Sequence, residues 1–157
     1  MIVLGIDPGT ASTGYGIVVK KSGTLKCTDY GVIRTYPKQS PGVRLQKIND
    51  QLTEVLIKHK PDALAIEGLY FFKNLKTAIP VSQAKGVVLF AAAKKKVPVK
   101  EFSPLQIKSV VAGKGRAKKK EVQAHVKKIL KLEKTPRPYH ASDALAVALT
   151  WFLKEDK

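Results

Sequence analysis

Two short apolar runs, each closed by a carboxylate, constrain this chain more than any other feature. Ile2-Val3-Leu4-Gly5-Ile6 ends in Asp7, and Ala63-Leu64-Ala65-Ile66 ends in Glu67. Runs of this length followed by turn signals, here Pro8-Gly9-Thr10 and Gly68, read as buried strands. A third acid, Asp143, lies near the start of the apolar stretch 141–153. Burying one isolated carboxylate costs several kcal/mol unless it is paired or bound to a metal. The other acids sit in polar surroundings, so these three call for a common explanation. Carboxylates that converge from two strand ends and a packed helix repel one another, and a divalent cation removes that repulsion. Oxygen-rich clusters favour Mg²⁺ or Mn²⁺. The plainer alternative, in which each acid caps its own turn, suits Asp7 before Pro8-Gly9 but suits the three together poorly. His140 stands three residues before Asp143, a spacing that puts both on one helix face. It is either a fourth ligand or an ordinary surface residue.

The rest of the pattern predicts a mixed α/β domain with one central sheet covered by helices. Residues 14–20 and 25–35 flank the Ser22-Gly23 turn and read as a hairpin following the first strand. Val43, Leu45, Ile48, Leu52, Val55 and Leu56 recur at helical spacing over 43–59. After the strand ending at Glu67 come a long apolar helix over 75–94 and a short edge strand at Val97-Pro98-Val99. Ser103-Pro104 then opens a helix as N-cap and first helical residue. Helices over 119–131 and 140–154 complete the chain. With 157 residues, one domain over 1–157 is expected.

Charge narrows the partners. The formal balance is +17, and residues 94–137 alone hold 15 basic and 3 acidic side chains. Such density favours a polyanion, bound with a steep salt dependence. The single cysteine, Cys27, excludes a disulfide framework and any cysteine-built zinc site. The longest apolar run, Val87 to Ala93, is far short of the roughly 18 residues that span a bilayer. A soluble, cytoplasmic chain with no membrane partner is expected.

The stretch Gly5-Ile6-Asp7-Pro8-Gly9-Thr10, with Thr13-Gly14-Tyr15-Gly16 behind it, resembles the opening of the RuvC family of Holliday-junction endonucleases. Ala65-Ile66-Glu67 resembles the family's second motif and Ala141-Ser142-Asp143-Ala144-Leu145-Ala146 its last. Lys73-Asn74, Gln83-Ala84-Lys85-Gly86-Val87 and Gln106-Ile107-Lys108 fall between them in the family's order. The resemblance implies a ribonuclease H-like fold, a five-stranded mixed sheet flanked by helices. It also implies a homodimer that cuts two strands of a four-way DNA junction symmetrically during recombination and repair. Hydrolysis would be metal-dependent and leave 5′-phosphate nicks, with a branch-migration helicase complex as a further partner. Carried onto this chain, two ions per site, Mg²⁺ or Mn²⁺, would be held by Asp7, Glu67, His140 and Asp143. Asp7 would be shared between the ions, Glu67 would serve the attacking side, and Asp143 with His140 the leaving side. Many members carry an acid where His140 stands. An imidazole ligand there would favour Mn²⁺, or the ring would assist proton transfer.

DNA contacts are expected from the aromatic and basic residues around these motifs. Tyr70 and Phe71 follow Glu67, and one aromatic stacked on an unpaired base would contribute roughly 1–3 kcal/mol; the resemblance favours Tyr70. Lys108 and Lys119 match family positions near the scissile phosphate. Lys114, Arg116, Lys118 and Lys120 would hold backbone phosphates, with Lys73, Asn74 and Lys76 in the same groove. The helix 75–94 carries more apolar surface than one side of a sheet needs, which reads as a dimer contact. Three other readings stay open: an actin-like ATPase using the Gly-Ile-Asp-x-Gly-Thr loop, a non-catalytic junction-binding protein, and another nuclease of ribonuclease H-like fold.

Overall fold

The computed structural model describes residues 1–69 and 74–155. The strands are β1 (Ile2–Asp7), β2 (Ser12–Lys21), β3 (Thr24–Arg34), β4 (Ala63–Glu67) and β5 (Val99–Phe102). The helices are α1 (Pro41–His59), α2 (Leu75–Lys94), α3 (Pro104–Ala112), α4 (Lys119–Ile129) and α5 (Tyr139–Lys154). One five-stranded mixed sheet runs in the order β3-β2-β1-β4-β5, the expected fold class. β1, β2 and β3 pair antiparallel, while β4 lies parallel to both β1 and β5. A parallel neighbour needs a crossover, and α1 and α2 supply the two that lead into β4 and β5.

The register explains where the two strand-end acids go. Val3 pairs with Ala63 and Ile6 with Ile66, so Asp7 and Glu67 are the next residues on adjacent parallel strands. Side chains alternate along a strand. Val3, Ala63, Ala65 and Phe102 enter a core under α3, α4 and α5. Leu4, Ile6, Leu64 and Ile66 enter the opposite core under α1 and α2. Asp7 and Glu67 therefore belong to the α5 side of the sheet.

α5 lies close against that side because the strands offer no side chain to hold it off. A Cβ on Gly5 would stand 2.0 Å from the Ala144 carbonyl oxygen, and one on Gly14 would stand 2.0 Å from that of His140. Small residues on the helix, Ala141, Ala144 and Ala148, are fully buried in return.

One element differs from the expectation. The edge strand is Val99–Phe102, not 97–99. Pro98 has no N–H to give a ladder; only its carbonyl takes part, accepting from Leu64 N at 2.9 Å. Pairing proper begins at Val99 opposite Leu64. Among the described residues no helix is long and apolar enough to cross a membrane.

Candidate active site

Three elements deliver the central group. β1 ends in Asp7, β4 ends in Glu67, and the N-terminal end of α5 carries His140 and, one turn on, Asp143. Ligand atoms of Asp7, His140 and Asp143 lie within 4.8 Å of one another. His140 Nδ1 is 3.0 Å from Asp7 Oδ2. Glu67 is not one of that close trio, yet it hydrogen-bonds Asp7 and feels the charge of Asp143.

The electrostatics are those of an overcrowded carboxylate group. Burial, then the charge of Asp7 and the hydrogen bond to it, push the Glu67 carboxyl up to about 8. Burial also raises Asp143, against the pull of Lys119. The hydrogen bond to Asp7 raises His140. Lys119, the first residue of α4, sets its Nζ 2.7 Å from Asp143 Oδ2 and is itself raised by that bond. Lys119 thus supplies the positive charge that the acids demand. The donor set fits a divalent ion: carboxylate oxygens and one imidazole nitrogen within a few ångströms, in a group that ionises fully only if cationic charge is added.

Beside the group is a cleft of about 190 Å³ lined by Glu67, Lys108, Lys119 and Asp143 among others. Lys108 comes from α3, whose start is fixed by the reciprocal bonds of Ser103 and Gln106. The basic loop between α3 and α4 follows. Lys114 pairs with Glu121 at 2.9 Å, and Glu121 also accepts from the Lys118 backbone at 2.7 Å. Arg116, Lys118 and Lys120 are exposed. Asn74 caps α2, its Oδ1 accepting from Lys76 N at 3.1 Å, so a fold role accompanies the expected DNA role. Tyr70, Phe71 and Lys73 lie outside the described residues.

Sequence reasoning missed Arg44. It is half-buried in the first turns of α1, and its Nε donates to Thr35 Oγ1 at 2.8 Å. The available signal was a cation near a helix start with no acid in the first turn, where the helix dipole disfavours positive charge.

Comparison with known proteins follows the same lines. The family described as crossover junction endodeoxyribonuclease RuvC matches residues 3–151. The crossover junction endodeoxyribonuclease RuvC of Syntrophomonas wolfei is 48% identical over 149 residues, 95% of this chain and 87% of that protein. That of Petrotoga mobilis is 48% identical over 148 residues, 94% of this chain and 91% of that protein. Thermus thermophilus RuvC solved in complex with Holliday junction substrate superposes with a TM-score of 0.93 at 39% identity, covering 99% of this chain and 94% of that one. The yeast mitochondrial Holliday junction resolvase Ydc2, at 14% identity and a TM-score of 0.68, shares the fold. From strand register to acid group to relatives, the observations agree that this chain belongs to the RuvC family of crossover junction endodeoxyribonucleases.

Proposed function

We propose that this protein is a structure-selective endonuclease that resolves four-way DNA junctions by symmetric, metal-dependent phosphodiester hydrolysis, leaving 5′-phosphate nicks. The observation that carries the reading is the gathering of Asp7, Glu67, His140 and Asp143 at one end of β1 and β4 against α5. Carboxylates repel a phosphate unless cations intervene, so this group opposes a purely DNA-holding role. A nucleotide-hydrolysing actin-like protein would need a second, similar half, and this family match spans nearly the whole chain.

Asp7, Asp143 and His140 would hold divalent metal, Mg²⁺ or Mn²⁺, with Glu67 completing the set. Two such ions, when bound, stabilise the attacking and leaving oxygens of an in-line displacement. Glu67 orients the attacking water by accepting its hydrogen bond. Lys119 and Lys108 face the same cleft and hold the non-bridging oxygens of the scissile phosphate. With metal bound, Asp143 would no longer depend on Lys119, whose Nζ would then be available to the substrate. The basic residues Lys114, Arg116, Lys118 and Lys120 bind the flanking backbone, and their contacts position the duplex without reading its sequence.

The working unit is a homodimer. α2 turns Ala84, Val88, Ala91 and Ala92 into the core and leaves Leu75, Ile79, Leu89 and Phe90 on the surface, with Leu75 69% and Phe90 60% exposed. A second copy covering that face by two-fold symmetry would give two active sites for the two opposed strands. A branch-migration helicase complex is the expected further partner.

The test is incubation of a labelled synthetic four-way junction with Mg²⁺ or Mn²⁺, beside a linear duplex and an RNA–DNA hybrid. Paired, symmetric, ligase-sealable nicks in the junction alone are expected. Preferential cutting of the hybrid would replace the reading with another nuclease of this fold.

A further inference from the structure

The acid group borders a second hollow, distinct from the Lys108–Lys119 cleft. It measures about 350 Å³ and is lined by the Gly9–Ser12 turn, Arg44, Lys76, Thr77 and His140, among others. The two hollows share no lining residue. One meets the acid group at Glu67 and Asp143, the other at His140.

The wall of the second hollow is largely apolar, with Ala11, Pro80 and Val81 among its residues, yet three observations at its polar edge suit an anion. First, no carboxylate lines it, and among the described residues none pairs with Arg44 or Lys76. Second, Arg44 is held by a relay. Its Nε donates to Thr35 Oγ1, and that hydroxyl, on a buried residue, donates in turn to the Thr10 carbonyl at 2.5 Å. Among the described residues only Nε is engaged, which leaves the rest of the guanidinium fork for a ligand. Third, Thr10 Oγ1 is buried and meets no hydrogen-bond partner among the described residues. A buried hydroxyl without a partner is uncommon, and a small shift of this turn would bring it to a phosphate oxygen in the hollow.

We propose that Arg44, Lys76 and the Gly9–Ser12 turn form a second phosphate site. It holds a backbone phosphodiester of the cleaved strand on the side of the scissile bond opposite Lys108 and Lys119. This rests on the junction-cutting reading above. The strand is then gripped on both flanks of the acid group, and Arg44 acts as a positioning residue.

Junction binding is measured against salt concentration in EDTA, where no strand is cut. The set comprises wild type, Arg44→Ala, Lys76→Ala and the distant surface control Lys21→Ala, each checked by thermal melting. Neutralising one phosphate contact removes about 0.7–0.9 from the slope of log affinity against log salt. Arg44→Ala and Lys76→Ala should each lower the slope by that amount, whereas Lys21→Ala should match wild type. Should Arg44→Ala fail to fold, the exposed Lys76→Ala decides the matter alone. Unchanged slopes in a protein that still cuts junctions overturn the second site only. A wild type that shows no preference for the junction over a duplex of equal length overturns the function itself. ATP binding that Arg44→Ala abolishes, with junction slopes unchanged, overturns the site in favour of a free nucleotide.

Discussion

At the residue scale the most informative group is Glu67. Its carboxyl is held near 8 by burial and by Asp7, against about 4.3 in an unfolded chain. A raised folded value means that stability is complete at acid pH. It is lost as pH climbs from the unfolded value through the folded one. Asp143 and His140 are raised as well and act in the same direction. Each tenfold change in proton affinity is about 1.4 kcal/mol, and 1 kcal/mol moves the melting of a chain this size by roughly 2–4 °C. The metal-free protein should therefore melt several degrees lower at pH 8.5 than at pH 5.5. Glu67→Gln should flatten most of that fall, and Mg²⁺ or Mn²⁺ should restore wild-type melting at the higher pH. Scanning calorimetry across pH, with and without metal, checks all three. Much of this acid group is legible in the sequence, since Asp7, Glu67 and Asp143 stand out as acids in apolar company. The bond between His140 and Asp7, the Lys119–Asp143 pair and the Arg44 relay are not. Each joins residues far apart in the chain, and local pattern carries no record of which lysine meets which acid.

At the element scale the position of α5 decides the site. His140 and Asp143 reach Asp7 only because Gly5 and Gly14 let the helix lie against the strands. Gly5→Ala would drive a methyl group into the Ala144 carbonyl and the Ala148 side chain, forcing the helix outward. Overpacking of this kind costs about 1–3 kcal/mol. Urea unfolding should show that loss, and cleavage should fall further than stability does, because the acid group itself is spread. The helices themselves were readable. The apolar spacing marked α1 and the 75–94 span of α2, and the Ser103-Pro104 signal marked α3. β5 starts two residues beyond Val97; a proline between two valines looks like a strand until its partner is known. The strands' glycines read only as turn or pleat residues, since a close helix approach is a tertiary fact. Tertiary contact also explains why α2 tolerates Pro80 in its second turn: one lost backbone bond is outweighed where Ala84, Val88, Ala91 and Ala92 pack on the sheet.

At the scale of the whole molecule, the proposed function assigns one face to DNA and another to a second copy of the chain. Basic residues around α3, α4 and their loop line the approach to the acid group, while the outward face of α2 is apolar. Phe90→Glu with Leu89→Glu should leave the monomer folded, because both side chains are exposed. It should also shift sedimentation from dimer to monomer, and the paired nicks should become single, uncoordinated ones. In the proposed function Asp7, Glu67, Asp143 and His140 act as one metal centre that cuts, while the basic surface holds the junction. The direct test is a single-turnover cleavage assay on one four-way junction with Asp7→Asn, Glu67→Gln and Asp143→Asn, each with binding measured in parallel. Binding should survive in all three, and nicking should fall by roughly a hundredfold or more, the equivalent of about 3 kcal/mol in the barrier. Any one of these variants nicking the junction at close to the wild-type rate would contradict the account.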